Sequence, residues 1–77
     1  MDSLAMEIHE YLLDMATDFE GYKLVLLPIT EIVSKFQRNH RTVQRRISAL
    51  KDEQLLVPVI KKNMVTLYHV RDQEDEV

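Results

Sequence analysis

Cysteine is absent from this 77-residue chain, which excludes disulfides and any thiolate metal site and fits a reducing, intracellular setting. Glycine occurs once, at Gly21, so a glycine-rich phosphate loop is excluded. Long apolar runs are missing too. The longest, Leu24 to Ile29, is six residues and contains Pro28, far short of the ~20 needed to span a bilayer. The opening MDSLAMEIHE is acidic and lacks the positively charged flank of a signal peptide. The length allows one domain with a single small core and no separate sensor domain.

Catalytic signatures are equally scarce. No paired-carboxylate site or nucleophile with a recognisable base can be picked out, and His9, His40 and His69 come from different segments without metal-ligand spacing. The expectation is a soluble, cytoplasmic binding protein without enzymatic activity, metal or cofactor.

What the chain does have is an uneven charge distribution. Ser34 to Lys51 holds six basic residues (Lys35, Arg38, Arg41, Arg45, Arg46, Lys51) and no acid, in a protein with 13 acidic and 10 basic side chains. Widening the segment to Ile32–Lys62 gives eight basic against two acidic residues, net +6, and leaves −9 for the remainder. Such a basic island is the electrostatic footprint expected of a polyanion-binding face.

Periodicity places the island on helices. Leu4, Ala5, Ile8, Tyr11, Leu12 and Met15 recur at three- and four-residue spacing, predicting a first amphipathic helix capped by Asp2 or Ser3 and ended near Gly21. Tyr22 to Leu27 reads as a short strand stopped by Pro28. Thr30 is placed to cap a two-turn helix, Thr30 to Gln37, burying Ile32, Val33 and Phe36. Asn39 is a good cap for the next helix, where Val43, Ile47 and Leu50 form the buried stripe. Arg41, Arg45 and Ser48, with Gln44 toward one flank, then face outward. Val57–Lys61 and Met64–Val70 predict a hairpin. With Lys62 and Asn63 as its turn, Ile60 would oppose Val65 and Pro58 would oppose Leu67, giving an apolar face for the core. The final RDQEDEV holds four acids and too little apolar surface to pack, so residues 71–77 are expected to form an acidic, disordered tail after a domain spanning 1–70.

The order helix, strand, helix, turn, helix, hairpin, with ITEIVSKF, NHRTVQRRISAL and DEQLLVPVIKKNMVTLYHV in sequence, resembles the winged helix-turn-helix family of small prokaryotic, phage and plasmid regulators. Thr30, Asn39, Thr42 with Val43, and Arg45 with Arg46 match the family pattern, and the likeness covers about Leu4 to Val70. Three residues depart from it: Gln37 stands at the turn position where the family often has Gly, Arg38 where an apolar residue usually packs, and Gln54 where a Gly often precedes the wing. The resemblance implies an α+β fold, with three helices and a small antiparallel β-sheet in the order α-β-α-α-β-β. It also implies sequence-specific binding of double-stranded DNA, with a recognition helix at about 40–51 in the major groove and the hairpin on the flanking backbone.

On that reading Arg41, Gln44, Arg45 and Ser48 are the base-reading candidates, since Arg can bridge guanine O6 and N7 and Gln can bridge adenine N6 and N7. Lys35, Arg38, Asn39, His40, Thr42, Arg46, Lys61 and Lys62 are the phosphate-contact candidates. Arg46 sits on the flank of the buried stripe, where it suits a phosphate or an acidic neighbour as well as a base. A single recognition helix has a small footprint, so a homodimer is expected, joined through the first helix, the strand around Leu24, or both. Transcriptional regulation is the simplest role, with partition, replication or phage control equally compatible. The competing class is a protein-interaction module, reached through the acidic N-terminal half or the tail.

Overall fold

The computed structural model describes residues 2–72. Its elements are α1 (Ser3–Met15), β1 (Thr17–Phe19), β2 (Tyr22–Leu26), α2 (Ile29–Phe36), α3 (His40–Asp52), β3 (Leu56–Lys62) and β4 (Val65–Val70). They make a small α+β fold of three helices and one antiparallel sheet of four strands, in the order β1-β2-β4-β3. Among the described residues no helix is long and apolar enough to cross a membrane.

Two helices start where a short polar side chain satisfies an orphan N–H. Asp2 Oδ1 accepts from the Ala5 N–H at 2.9 Å, and Asn39 Oδ1 accepts from the Thr42 N–H at 2.8 Å. The expected cap at Thr30 is not used. α2 already begins at Ile29 behind Pro28, with no side-chain cap, and Thr30 lies in its first turn. The helix ends at Phe36 because Gln37 takes a left-handed conformation (φ 52°, ψ 44°), which turns the chain toward α3 within three residues.

The expected single strand before α2 is a hairpin. Glu20 and Gly21 both have positive φ, 51° and 87°, as a tight two-residue hairpin turn requires. Gly21 therefore joins β1 to β2, while α1 has already ended at Met15. The second hairpin also differs in register from expectation. Its turn is Asn63–Met64, at φ 53° and 66°, so Lys62 pairs with Val65 and Ile60 with Leu67. An irregularity between Pro58 and Ile60 leaves Val59 as the extra residue and resets Pro58 opposite Tyr68. Pro58, which has no N–H to donate, lies on an edge strand, where that loss costs least.

This register decides which sheet face is core. Val25 pairs with Tyr68 and Leu56 with Val70, and Val25, Leu56 and Val70 are buried against the helices. Ile8 and Leu12 from α1, Ile32 from α2 and Val43 and Leu50 from α3 complete the core at 0% exposure. Each such side chain contributes ~1.5–3 kcal/mol on burial. Of the expected core face of the second hairpin, Ile60, Leu67 and Val65 lie instead on the open face, Ile60 and Val65 being 60% and 51% exposed, while Pro58 stays on the helix side opposite Tyr68.

The packed unit also extends beyond residue 70. The Arg71 N–H donates to the Leu55 carbonyl at 2.9 Å, and buried His9 donates from Nε2 to the Arg71 carbonyl at 2.6 Å. A carbonyl only accepts, so this contact fixes the Nε2–H tautomer. Arg71 thus belongs to the domain and not to the expected tail, of which residues 73–77 lie outside the described residues.

Candidate nucleic-acid interface

α3 is built so that one arc must face water. Val43, Ile47 and Leu50 are 0%, 3% and 0% exposed, which pins the helix rotation. Residues at the opposite angular positions are then forced outward, at ~100° per residue. Arg41, Gln44, Arg45 and Ser48 are all exposed on that side. Two guanidinium groups, an amide and a hydroxyl thus share an arc of about 100°, and every one of them can donate hydrogen bonds to phosphate oxygens or base acceptors.

The other basic residues separate into different environments. Arg38, in the α2–α3 turn, and His40, at the start of α3, are exposed beside the arc. Asn39 and Thr42 are partly committed, because the Asn39 side-chain oxygen and the Thr42 N–H bond to each other. Lys35 is exposed on α2, with its ammonium 5.3 Å from the Tyr11 ring centroid and 5.9 Å from that of Phe36, so these rings orient it.

Arg46 has an acidic neighbour. Its Nε lies 2.7 Å from Asp2 Oδ2, with the guanidinium side chain 29% exposed. The contact is a charge pairing without an aligned hydrogen bond, since the Nε–H meets no acceptor in line. The Asp2 carboxyl is held below its ordinary value, first by the Ala5 N–H and, against an opposing desolvation, by the Arg46 charge. Of the three roles open to Arg46, its position favours the pairing with an acidic neighbour.

The hairpin lysines part company through the pleat. Lys61 pairs with Thr66, in phase with Tyr68 and therefore on the sheet face that carries the helices. Lys62 pairs with Val65 and lies on the opposite face. Only Lys61 can extend a cationic surface on the helix side of the sheet.

Lys51 was counted in the basic island without a role. The structure sets its ammonium 5.1 Å from the Tyr68 ring centroid and at one wall of a shallow groove with Gln44, Ser48, Leu27 and Ile29. Its seven-residue spacing from Gln44 and three-residue spacing from Ser48 was the available signal. Among the described residues no group of three or more His, Asp or Glu side chains is placed to hold a metal ion. Compared with known proteins, the chain matches no family model, no curated sequence and no solved structure.

Proposed function

We propose that this chain is a winged helix-turn-helix protein that binds duplex DNA, with α3 in the major groove and the β3–β4 hairpin as the wing. The observation that carries the reading is the cation-rich outward arc of α3, Arg41, Gln44, Arg45 and Ser48, fixed opposite a fully buried stripe. A short helix, a three-residue turn and a longer basic helix bring that arc to the surface, as the docking geometry of this motif requires. Arg38, His40 and Lys61 flank it as phosphate contacts. Arg46 is better assigned to holding α3 against α1. The protein acts as a homodimer, most simply as a transcriptional regulator working in the cytoplasm on the nucleoid.

The test is binding to a randomised duplex pool across a salt series. A specific binder enriches a defined sequence, and each good bidentate Arg–guanine or Gln–adenine pair contributes ~1–3 kcal/mol of discrimination. Replacing Arg41 and Arg45 together by alanine should abolish the enrichment. Unchanged affinity and preference would place the interface elsewhere and favour a protein-docking module.

A further inference from the structure

Among the described residues, nothing covers the side of the sheet turned away from the helices, and that side is apolar. Strand alternation puts Phe19, Tyr22, Leu26, Ile60, Val65 and Leu67 on it together: Phe19 pairs with Tyr22, Leu26 with Leu67, and Leu67 with Ile60. The first five are 58%, 56%, 54%, 60% and 51% exposed. Water-facing antiparallel sheets ordinarily carry polar residues on the open face. Here the main polar groups are Thr17 and His69, the latter edge-on to Tyr22 at 5.1 Å, with Lys62 at a corner.

We infer that this face is the homodimer interface, covered by the same face of a second copy. The exposed parts of the five side chains amount to roughly 500 Å². That lies at the upper end of the ~300–600 Å² patch a monomer tolerates. With the half-buried Leu67 and the neighbouring rim it approaches the ~800 Å² per partner of a standard stable interface.

Charge at the rim points to a copy of the same chain. The register sets the β1–β2 turn, with Glu20, at one corner of the sheet, and the β3–β4 end, with Lys62 on this face, at the diagonal corner. A two-fold axis crossing the face between those corners lays Glu20 of each copy over the lysine corner of the other, while the uncharged centres meet. Such an isologous contact needs no second surface.

Of the two dimer surfaces expected from sequence, this selects the one around β2. The apolar stripe of α1 is excluded because Ala5, Ile8 and Leu12 are already buried within the protomer. The inference gives the dimeric reading its surface but stands on the sheet alone and does not require DNA binding.

Sedimentation equilibrium of the wild type and of Phe19→Lys, Leu26→Lys and Ile60→Lys tests it. The sites are more than half exposed, so a lysine there is compatible with the folded protomer. The expected result is a wild-type dimer and variants with native circular dichroism whose dissociation constant rises ~100-fold or more. A wild type that stays monomeric up to about 1 mM, or a dimer that all three variants leave intact, overturns the proposal.

A second measurement holds even where a lysine variant fails to fold. The chain lacks cysteine, so a spin label can be placed uniquely at Met64→Cys, a site 96% exposed at the hairpin turn beside the face, and mixed with isotope-labelled wild type. Intermolecular broadening across β1, β2 and β4 supports the face-to-face dimer, and broadening confined to α1, or absent, refutes it. None of these changes touches the α3 arc. A dimer that ignores DNA therefore counts against the DNA-binding reading alone, and a DNA-binding monomer counts against the dimer and its surface while leaving the DNA-binding reading intact.

Discussion

Arg46 on α3 and Asp2 at the head of α1 lie 2.7 Å apart, so the helix that carries the candidate interface is tied to the first helix through the same carboxylate that caps it. Both contacts favour ionised Asp2 and hold its carboxyl below the ordinary carboxylate range. A group with a depressed folded pKa contributes stability above its unfolded value, which is lost as pH falls through the folded one. Asp2→Ala should therefore lower the Tm at neutral pH, and the gap to wild type should close below about pH 4. Asp2→Asn keeps an amide able to cap but loses the charge, so it should fall between the two. Thermal unfolding followed by circular dichroism from pH 3 to 7 reads this directly, and a gap independent of pH would deny the carboxylate its role.

Gln37 and Gln54 both adopt the left-handed conformation for which glycine is the usual choice. Gln37 has φ 52° and Gln54 φ 60°. A side chain there carries ~1–2 kcal/mol of steric cost, partly offset in a glycine variant by the greater freedom of its unfolded chain. Gln37→Gly and Gln54→Gly should each stabilise the fold by about 0.5–1 kcal/mol in urea unfolding. Alanine at the same sites, which retains Cβ, should give no such gain.

How much could be read from the chain follows from which signals are redundant. The α3 stripe was legible because Val43, Ile47 and Leu50 repeat at helical spacing and Asn39 is a strong cap, two independent cues for one helix. β1 was not, since Thr17, Asp18 and Phe19 offer no alternation and its turn uses Glu20, a residue type that does not announce positive φ. The second turn lies at Asn63–Met64, one residue beyond the Lys62–Asn63 that the sequence suggests, because Met64 gives no sign of positive φ either, and the irregularity after Pro58 hides the true pairing. At the candidate interface the outward arc could be read from the helical wheel. The Arg46–Asp2 contact could not, because it joins positions 44 residues apart. The apolar outer sheet face depended on the missed strand and the shifted register together.

His9 illustrates a stability role that its side-chain type conceals. It is 5% exposed and donates to the Arg71 carbonyl at 2.6 Å, closing the end of β4 onto the middle of α1. His9→Leu keeps the volume apolar but leaves that carbonyl without its partner, at a cost of about 1–3 kcal/mol. Urea unfolding should show a lower midpoint with an unchanged slope. In a domain this small, whose total stability is expected near the low end of ~5–15 kcal/mol, the loss should also raise amide exchange around Arg71.

The opposite facing of Lys61 and Lys62 separates two roles that sequence had joined. Lys61 shares the pleat phase of Thr66 and Tyr68, on the side where α3 packs, whereas Lys62 is in phase with Val65 and the apolar outer face. A duplex lying along α3 can be reached by the first ammonium but not by the second without crossing the sheet edge. Neutralising one true phosphate contact lowers the log–log salt slope by ~0.9. Lys61→Ala should therefore flatten the salt dependence of duplex binding by about that amount and weaken all sequences equally. Lys62→Ala should leave the slope unchanged and instead shift the monomer–dimer equilibrium, because its charge sits at the corner facing Glu20 of the second copy. Equal slopes for the two variants would mean that the hairpin approaches DNA by its tip, and the assignment of Lys61 as the phosphate contact would fail.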